Sequence, residues 1–380
     1  MPLWFHYKYM KRFSVCGLMT ALLLGGCQTA KVGPKALRSF QGAYNQAITT
    51  NEDEQLLQNI VRLRYRDNPV FLEVNKITQT NDFGNSNSLG LEKVFLAGAN
   101  GGKYTGTLKP SLGASGKNQS IIEFGKLKGK ALVQMLFTPI QLPIVMSMLQ
   151  SGWRPERVFD LCVQRVNHLY NAPTAGASTP HFAPEYKRFY RWTELLTRLY
   201  RGHVLEFGEK PETNFSDLFM KVNEISVFKK EIEEFKALAG LDPDSSWFKL
   251  KDNLVDVSSS KLTIRCRPLL SMLFLLSQGV DVPDSDREAG LVTTTKNLDG
   301  SDFDWSDISC RLLNVHFSES SSKMRPADAY VACRYRGKWF YVKDDDSESK
   351  ATFLLMTQIF ALQSAATYRK TQPTIVIAGH

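Results

Sequence analysis

Cys27 is the residue whose surroundings specify a chemistry most narrowly. It ends the run Leu24-Gly25-Gly26-Cys27, an apolar residue and two glycines before a thiol. That is the pattern of a bacterial lipobox, in which the cysteine sulfur takes a diacylglycerol and the peptide bond before it is cut. Upstream, Lys8, Lys11 and Arg12 form a positive start, and no acid precedes Cys27. Phe13 to Leu24 are largely apolar over about a dozen residues, the length of a signal h-region. A permanent span needs roughly 20 apolar residues, so residues 1–26 read as an export signal and 27–36 as a lipidated tether. Acyl chains, palmitate among them, would hold Cys27 at the membrane at about 0.8 kcal/mol per buried CH₂. Gln28 stands where Asp would favour the inner membrane. The expected location is therefore the outer membrane, with the body facing the periplasm.

Other residue groups offer less. Arg62, Arg64 and Arg66 flank Tyr65 and could grip a phosphate or a glycan. Alternate residues on a helix do not share a face, and the plainer reading is a helix end bonding its own carbonyls and nearby acids. Asp344 and Asp346 belong to the run Asp344-Asp345-Asp346-Ser347-Glu348, which supplies the oxygens a hard cation wants. The run lacks the glycine and the distant glutamate of an EF-hand loop. Acids just before a helix also cap it and suit its dipole. Asp299-Gly300-Ser301-Asp302-Phe303-Asp304 reads as a turn. The histidines beyond the signal (His168, His181, His203, His316, His380) include no i,i+4 pair and no HExxH. No GxSxG elbow occurs. No catalytic residue, metal or cofactor is assigned on these grounds.

Cysteine usage leaves two readings open. Cys162, Cys266, Cys310 and Cys333 are even in number, and an oxidising periplasm permits disulfides. Cys162 and Cys266 lie among apolar residues, where a buried thiol is equally natural. No CxxC pair exists, which argues against a thiol-exchange enzyme or a zinc ribbon. The formal charge of +9 includes Lys8, Lys11 and Arg12 of the signal; the remainder is a mild, dispersed excess that suits anionic lipid or an ordinary solvated surface. Nucleic acid is not an expected partner.

Positioning elements follow from periodicity. A helix is expected from Asn51-Glu52-Asp53-Glu54, acids in its first turn, to the stop at Asn68-Pro69. Val70 to Thr80 reads as a strand. Residues 84–118 form a Gly-rich insertion, with Tyr104 to Leu108 alternating and Gly101-Gly102 able to turn a hairpin. It reads as a flexible loop or as an arm that pairs with another chain. Ser120 to Phe124 is a strand; helices are expected over Lys128–Phe137, from near Pro139 to Gln150, and from Pro155 through about Leu169. Glu185 to Arg201 carries a 3.6-period apolar stripe, and His203 to Phe207 reads as a short strand. Phe228–Leu238 is a charged helix, Lys261–Cys266 a strand and Leu269–Ser277 a buried helix. Strands are expected at Leu312–Phe317, Ala329–Tyr335 and Trp339–Val342, a turn at Gly337, a helix over Phe353–Leu362 and a last strand at Thr374–Ile377. The implied fold class is α+β, helices packed on a partly antiparallel sheet. Regions 37–205 and 206–380 are two α+β regions or one domain.

Several stretches resemble a family of Gram-negative bacterial envelope lipoproteins that carries no assigned activity. They are Asp53-Glu54-Gln55-Leu56-Leu57, Asn59 to Asp67, Pro69-Val70-Phe71-Leu72, Ser151-Gly152-Trp153, Val163 to Asn167, Tyr335 to Tyr341, and Ser349-Lys350 before Phe353. The resemblance spans most of the chain beyond the signal and implies one shared fold; it implies no catalytic residues. The expected role is a binding or scaffolding component of an envelope assembly, with an envelope protein or another copy as partner. The alternative is a periplasmic hydrolase acting on cell-wall or lipid material. Cys27→Ala should leave an unprocessed precursor. Metabolic labelling with a fatty acid should then lose its signal, and labelling that persists in the variant would remove the anchor.

Overall fold

The computed structural model describes residues 34–94, 105–126, 129–176, 181–209, 217–252, 257–309, 311–319 and 324–371. The signal, Cys27, Cys310, the Gly101-Gly102 turn and the strand expected at Thr374–Ile377 lie outside these residues. In chain order the elements are α1 (Pro34–Arg64), β1 (Leu72–Val94), β2 (Thr105–Lys126), α2 (Gly129–Phe137), α3 (Leu142–Gln150), α4 (Pro155–Cys162), β3 (Val163–Val166) and β4 (Leu169–Tyr170). Then come α5 (Lys187–Arg201), β5 (Leu205–Glu209), β6 (Leu218–Val222), α6 (Lys229–Ala239), β7 (Trp247–Lys251), β8 (Lys261–Cys266) and α7 (Leu269–Ser277). The last are α8 (Asp284–Glu288), α9 (Ser306–Ser309), β9 (His316–Ser318), β10 (Ala329–Tyr335), β11 (Lys338–Lys343) and α10 (Ser347–Thr371). No described helix is long and apolar enough to cross a membrane.

The described residues fall into two compact units that do not follow chain order. One holds residues up to 58 with 315–347, and the other holds 59–314 with the residues from 348 on. The smaller unit contains the three-stranded antiparallel sheet β10-β11-β9. Its hairpin closes on Arg336-Gly337, where both residues have positive φ, 46° and 82°. Such a turn carries the twist of the flanking strands. Phe340 is fully buried on β11, while Trp339 and Tyr341 are half-buried.

The larger unit is built on a six-stranded mixed sheet of order β4-β3-β8-β7-β6-β5, in which only β7 and β8 pair in parallel. Helix α5 lays Phe189, Trp192, Leu195, Leu196 and Leu199 into the core. Trp192 stacks on Phe235 of α6 with ring centroids 5.0 Å apart and meets Phe159 of α4 at 5.6 Å. Helix α7 is almost entirely buried, as its continuous apolar sequence requires. Gly279 follows it because the chain passes Leu313: a Cβ there would sit 1.9 Å from the Leu313 carbonyl oxygen.

Three expectations need correction. α1 begins at Pro34, so the acids at 52–54 lie in its middle and not in its first turn. Pro34 suits a first helical position, whereas Ile48-Thr49-Thr50 are weak helix formers that conceal the continuity. The helix expected through Leu169 ends at Cys162, and the chain continues as β3 from the extended residue Val163. Val163 and Val166 are β-branched, and Asn167 at φ 47° turns β3 into β4. The strand expected over Leu312–Phe317 is confined to His316–Ser318, because Leu312 and Leu313 fold back on the Ser309 carbonyl.

Strands β1 and β2 form a separate antiparallel ribbon with an unbroken register from Lys76↔Glu123 to Val94↔Thr105. At 3.4 Å per residue it is about 70 Å long. Among the described residues its sheet has these two strands alone. Both feet are fastened in the larger unit. The Asn59 side chain donates to the Val70 carbonyl and accepts from the Val70 amide, each at 2.8 Å. Phe71 is buried and stacks on Phe360 at 5.5 Å. On the return side, Met135 and Leu136 of α2 are buried, and the Ile140 amide donates to the Arg267 carbonyl.

Phe340→Ala should destabilise the smaller unit by about 3–5 kcal/mol, as for other buried aromatics. The same change at Trp339 or Tyr341 should do less. Denaturant melts followed by tryptophan fluorescence and circular dichroism would show it, and equal midpoints for Phe340→Ala and the parent would refute the packing.

Candidate functional site

Charged residues converge in a cleft of about 460 Å³ in the larger unit, lined among others by Arg154, Arg157, Asp160, Arg311 and Glu348. Helix α4 presents Glu156, Arg157 and Asp160 on successive turns, and its first residue, Pro155, fixes where the helix starts. Helix α5 runs alongside with Glu194, Thr197, Arg198 and Arg201. Thr197 Oγ1 accepts the Glu156 amide at 2.9 Å, which satisfies one of the donors a helix N-terminus leaves open.

Glu348, at the start of α10, is the point on which two arginines close. Arg154 Nη1 and Nη2 each donate to it at 3.2 Å, and Arg157 Nη2 donates to its Oε2. Arg157 is 3 % exposed and also donates to the Glu348 carbonyl and to Thr352 Oγ1. Burial lowers the Arg157 pKa, opposed by Glu348. Deeper in the cleft, Asp160 accepts from Thr193 Oγ1 at 3.0 Å and from Arg311 Nε at 3.0 Å. Arg311 reaches Glu194 at 3.2 Å and lies 4.4 Å over the Tyr190 ring. Burial pushes the Asp160 carboxyl up to about 6, against the pull of Arg311 and Thr193. Arg198 pairs outward with Glu231 at 2.9 Å. The guanidiniums therefore spend most of their charge inside the network, which clamps α4, α5, the Arg311 segment and the start of α10 together. The arrangement can hold and orient an anion at its open rim of Arg154, Arg198 and Arg201. The hydroxyl that lies against Asp160, Thr193 Oγ1, is itself fully buried.

Behind this cluster, Arg267 is fully buried and donates to the Asn171 carbonyl. Burial lowers its pKa to about 10. Asn171 uses its amide nitrogen to hold the Asp160 and Val163 carbonyls at 2.9 and 2.7 Å, where α4 passes into β3.

The residues singled out in the sequence lie elsewhere and are not brought together. Arg62 donates to the Asn68 carbonyl, Arg64 is buried and donates to Gln278 at 3.0 Å, and Arg66 donates to Thr293 Oγ1. Burial lowers the Arg64 pKa to about 10. Asp344 and Asp346 sit in the turn before α10; the Asp344 amide donates to the Asp328 carbonyl. Among the described residues, no group of three or more His, Cys, Asp or Glu residues is placed to hold a metal ion. Cys162, Cys266 and Cys333 are buried, the first two as free thiols, and burial pushes the Cys266 thiol up to about 12.

Sequence reasoning passed over Asp160, Arg157 and Arg311, and read Glu348 only as the end of the acidic run at a helix start. One signal was present: Asp160 interrupts the apolar run Val158-Phe159-Asp160-Leu161-Cys162, and an acid on a buried helix face needs a partner. Nothing local says that the partner is Arg311.

The raised pKa sets a sign. A carboxyl that binds its proton more tightly when folded adds stability at low pH and loses it as pH rises from 3.8 through about 6. Across that window the parent should lose stability relative to Asp160→Asn, on the order of 3 kcal/mol in all. Urea melts of both proteins at a series of pH values would measure the difference; curves that stay parallel would contradict the buried, raised carboxyl.

The chain matches no protein-family model, no curated protein and no solved structure.

Proposed function

We propose that this chain is an outer-membrane-anchored periplasmic lipoprotein that works as a binding or scaffolding component of an envelope assembly. The observation that carries the reading is the ribbon β1–β2. Its feet are fixed in the larger unit, and among the described residues its sheet holds two strands alone. A lone two-stranded ribbon is marginally stable in water, and its outer edges offer rows of donors and acceptors suited to strand addition. The Gly-rich segment is on this reading an arm that pairs with a further chain. The lipobox at Cys27 supports the anchor.

One observation favours the second reading, a periplasmic hydrolase: a cleft carboxyl, Asp160, poised at about 6. That carboxyl is 2 % exposed and already accepts from Arg311 and Thr193, so it is poorly placed to take a proton from a substrate.

Shortening residues 86–114 to a brief linker should leave the melting of the body nearly unchanged and abolish binding of a partner or self-association. Crosslinked pull-down from intact envelopes and light scattering would be run on both forms. Equal partners and equal mass after the deletion would reduce the ribbon to an ordinary surface element and sink the proposal.

A further inference from the structure

We infer that the arginine-lined cleft of the larger unit is a binding site for a phosphate monoester group, held at the mouth by Arg154, Arg198 and Arg201. This site is separate from the ribbon. It adds a ligand to the proposed assembly role and does not depend on it.

The charges of the cleft do not cancel. Each acid that lines it is already claimed by an arginine. Glu156 pairs with Arg154 at 3.0 Å, Asp160 and Glu194 pair with Arg311 at 3.0 and 3.2 Å, and Glu348 is shared by Arg154 and Arg157. Arg198 turns to Glu231 at 2.9 Å. Arg201 lines the same cleft, is exposed, and makes no ion pair or hydrogen bond among the described residues. A second guanidinium stands behind the cleft without a counter-charge. Arg267 is fully buried, donates to the Asn171 carbonyl, and has no partner for Nε or Nη1 among the described residues. Asp160 attracts it, but that carboxyl is already held by Arg311 and Thr193. A buried charge without a partner is costly, and the field of Arg267 reaches the cleft through a poorly screening interior. An anion in the cleft offsets both cations.

The placement of the donors selects the kind of anion. Arg198 and Arg201 lie one turn apart at the end of α5, and Arg154 is the residue before α4, so guanidiniums reach one mouth from two helices. A helix dipole favours cations in its last turn. That accounts for the charge of α5 but not for Arg154 on the same cleft. A carboxylate is planar and singly charged, and in this cleft it would compete with four resident acids. A phosphate monoester carries about two negative charges and three acceptor oxygens. Its tetrahedral oxygens give donors arriving from different directions one acceptor each, and the arginine fork matches them. The cleft, about 460 Å³, has the size of a small-ligand site.

The test is titration calorimetry on the full chain in non-ionic detergent, with inorganic phosphate, glycerol 3-phosphate and acetate as probes. The parent is compared with Arg201→Gln and with Arg188→Gln, an exposed cation on the same helix that does not line the cleft. Arg201 holds nothing in the fold, so thermal melts of all three should coincide. The parent should bind both phosphate compounds saturably and acetate far more weakly. Arg201→Gln should lose about tenfold or more in affinity, the loss expected for one charge-assisted hydrogen bond, and Arg188→Gln should bind as the parent does. Equal affinity for the two phosphate compounds would mark free phosphate as the ligand, and tighter glycerol 3-phosphate would mark a lipid headgroup; either supports the site. Acetate bound as tightly as phosphate would overturn it. So would the lack of saturable binding, or equal affinities in Arg201→Gln and the parent.

Discussion

A backbone amide or carbonyl taken out of water must find a partner, and most of the irregular features of this protein are answers to that demand. Where α4 passes into β3, the Asn171 side chain holds the Asp160 and Val163 carbonyls. Where β3 turns into β4, Asn167 accepts the Thr263 amide at 2.8 Å and donates to the Ala239 carbonyl at 2.7 Å. Asn59 imitates a strand for Val70 at the foot of the ribbon. Each asparagine is buried, so each replaces water at a point where regular secondary structure stops. Among the described residues, the ribbon meets the same demand on the inner edges of β1 and β2 alone.

The charge cluster is a second expression of burial. Asp160 and Arg157 are almost without solvent, and each is held by more than one donor or acceptor. Buried ion pairs of this kind add little net stability, yet removing one partner leaves the other uncompensated. The cluster therefore specifies how α4, α5 and α10 meet more than it strengthens the fold. The energy of the larger unit comes from the core of Phe159, Phe189, Trp192, Phe235 and Phe248, all fully buried.

Much of the architecture is legible in the sequence where local signals agree with tertiary ones. β8, α7 and β10 fall on the residues that periodicity predicts, and the Arg336-Gly337 turn is written in its glycine. The mixed α+β class follows from that alternation. Legibility fails where a residue serves two elements. Cys162 to Val166 is apolar enough for a helix and β-branched enough for a strand, and only pairing with β8 decides it. β6 and β7 are short and mix lysine with aromatics, so composition alone marks them as surface. At the site, Arg62, Arg64 and Arg66 attract notice through spacing, but the helix sends them to three separate partners. The cleft residues come from segments far apart in the chain, and spacing carries no trace of them.

Along an antiparallel strand, alternate residues exchange their bonds with one neighbour or the other. The inner amides of β1 and β2 are thus bonded within the ribbon, and the outer ones face away from it. Amide hydrogen exchange over residues 72–126, read in the chain alone and again in the assembly that an envelope pull-down recovers, separates the two sets. Completion of the ribbon by further strands predicts that the outer amides slow sharply on assembly while the inner set changes little. Outer amides that exchange as fast in the assembly as in the chain alone would contradict it.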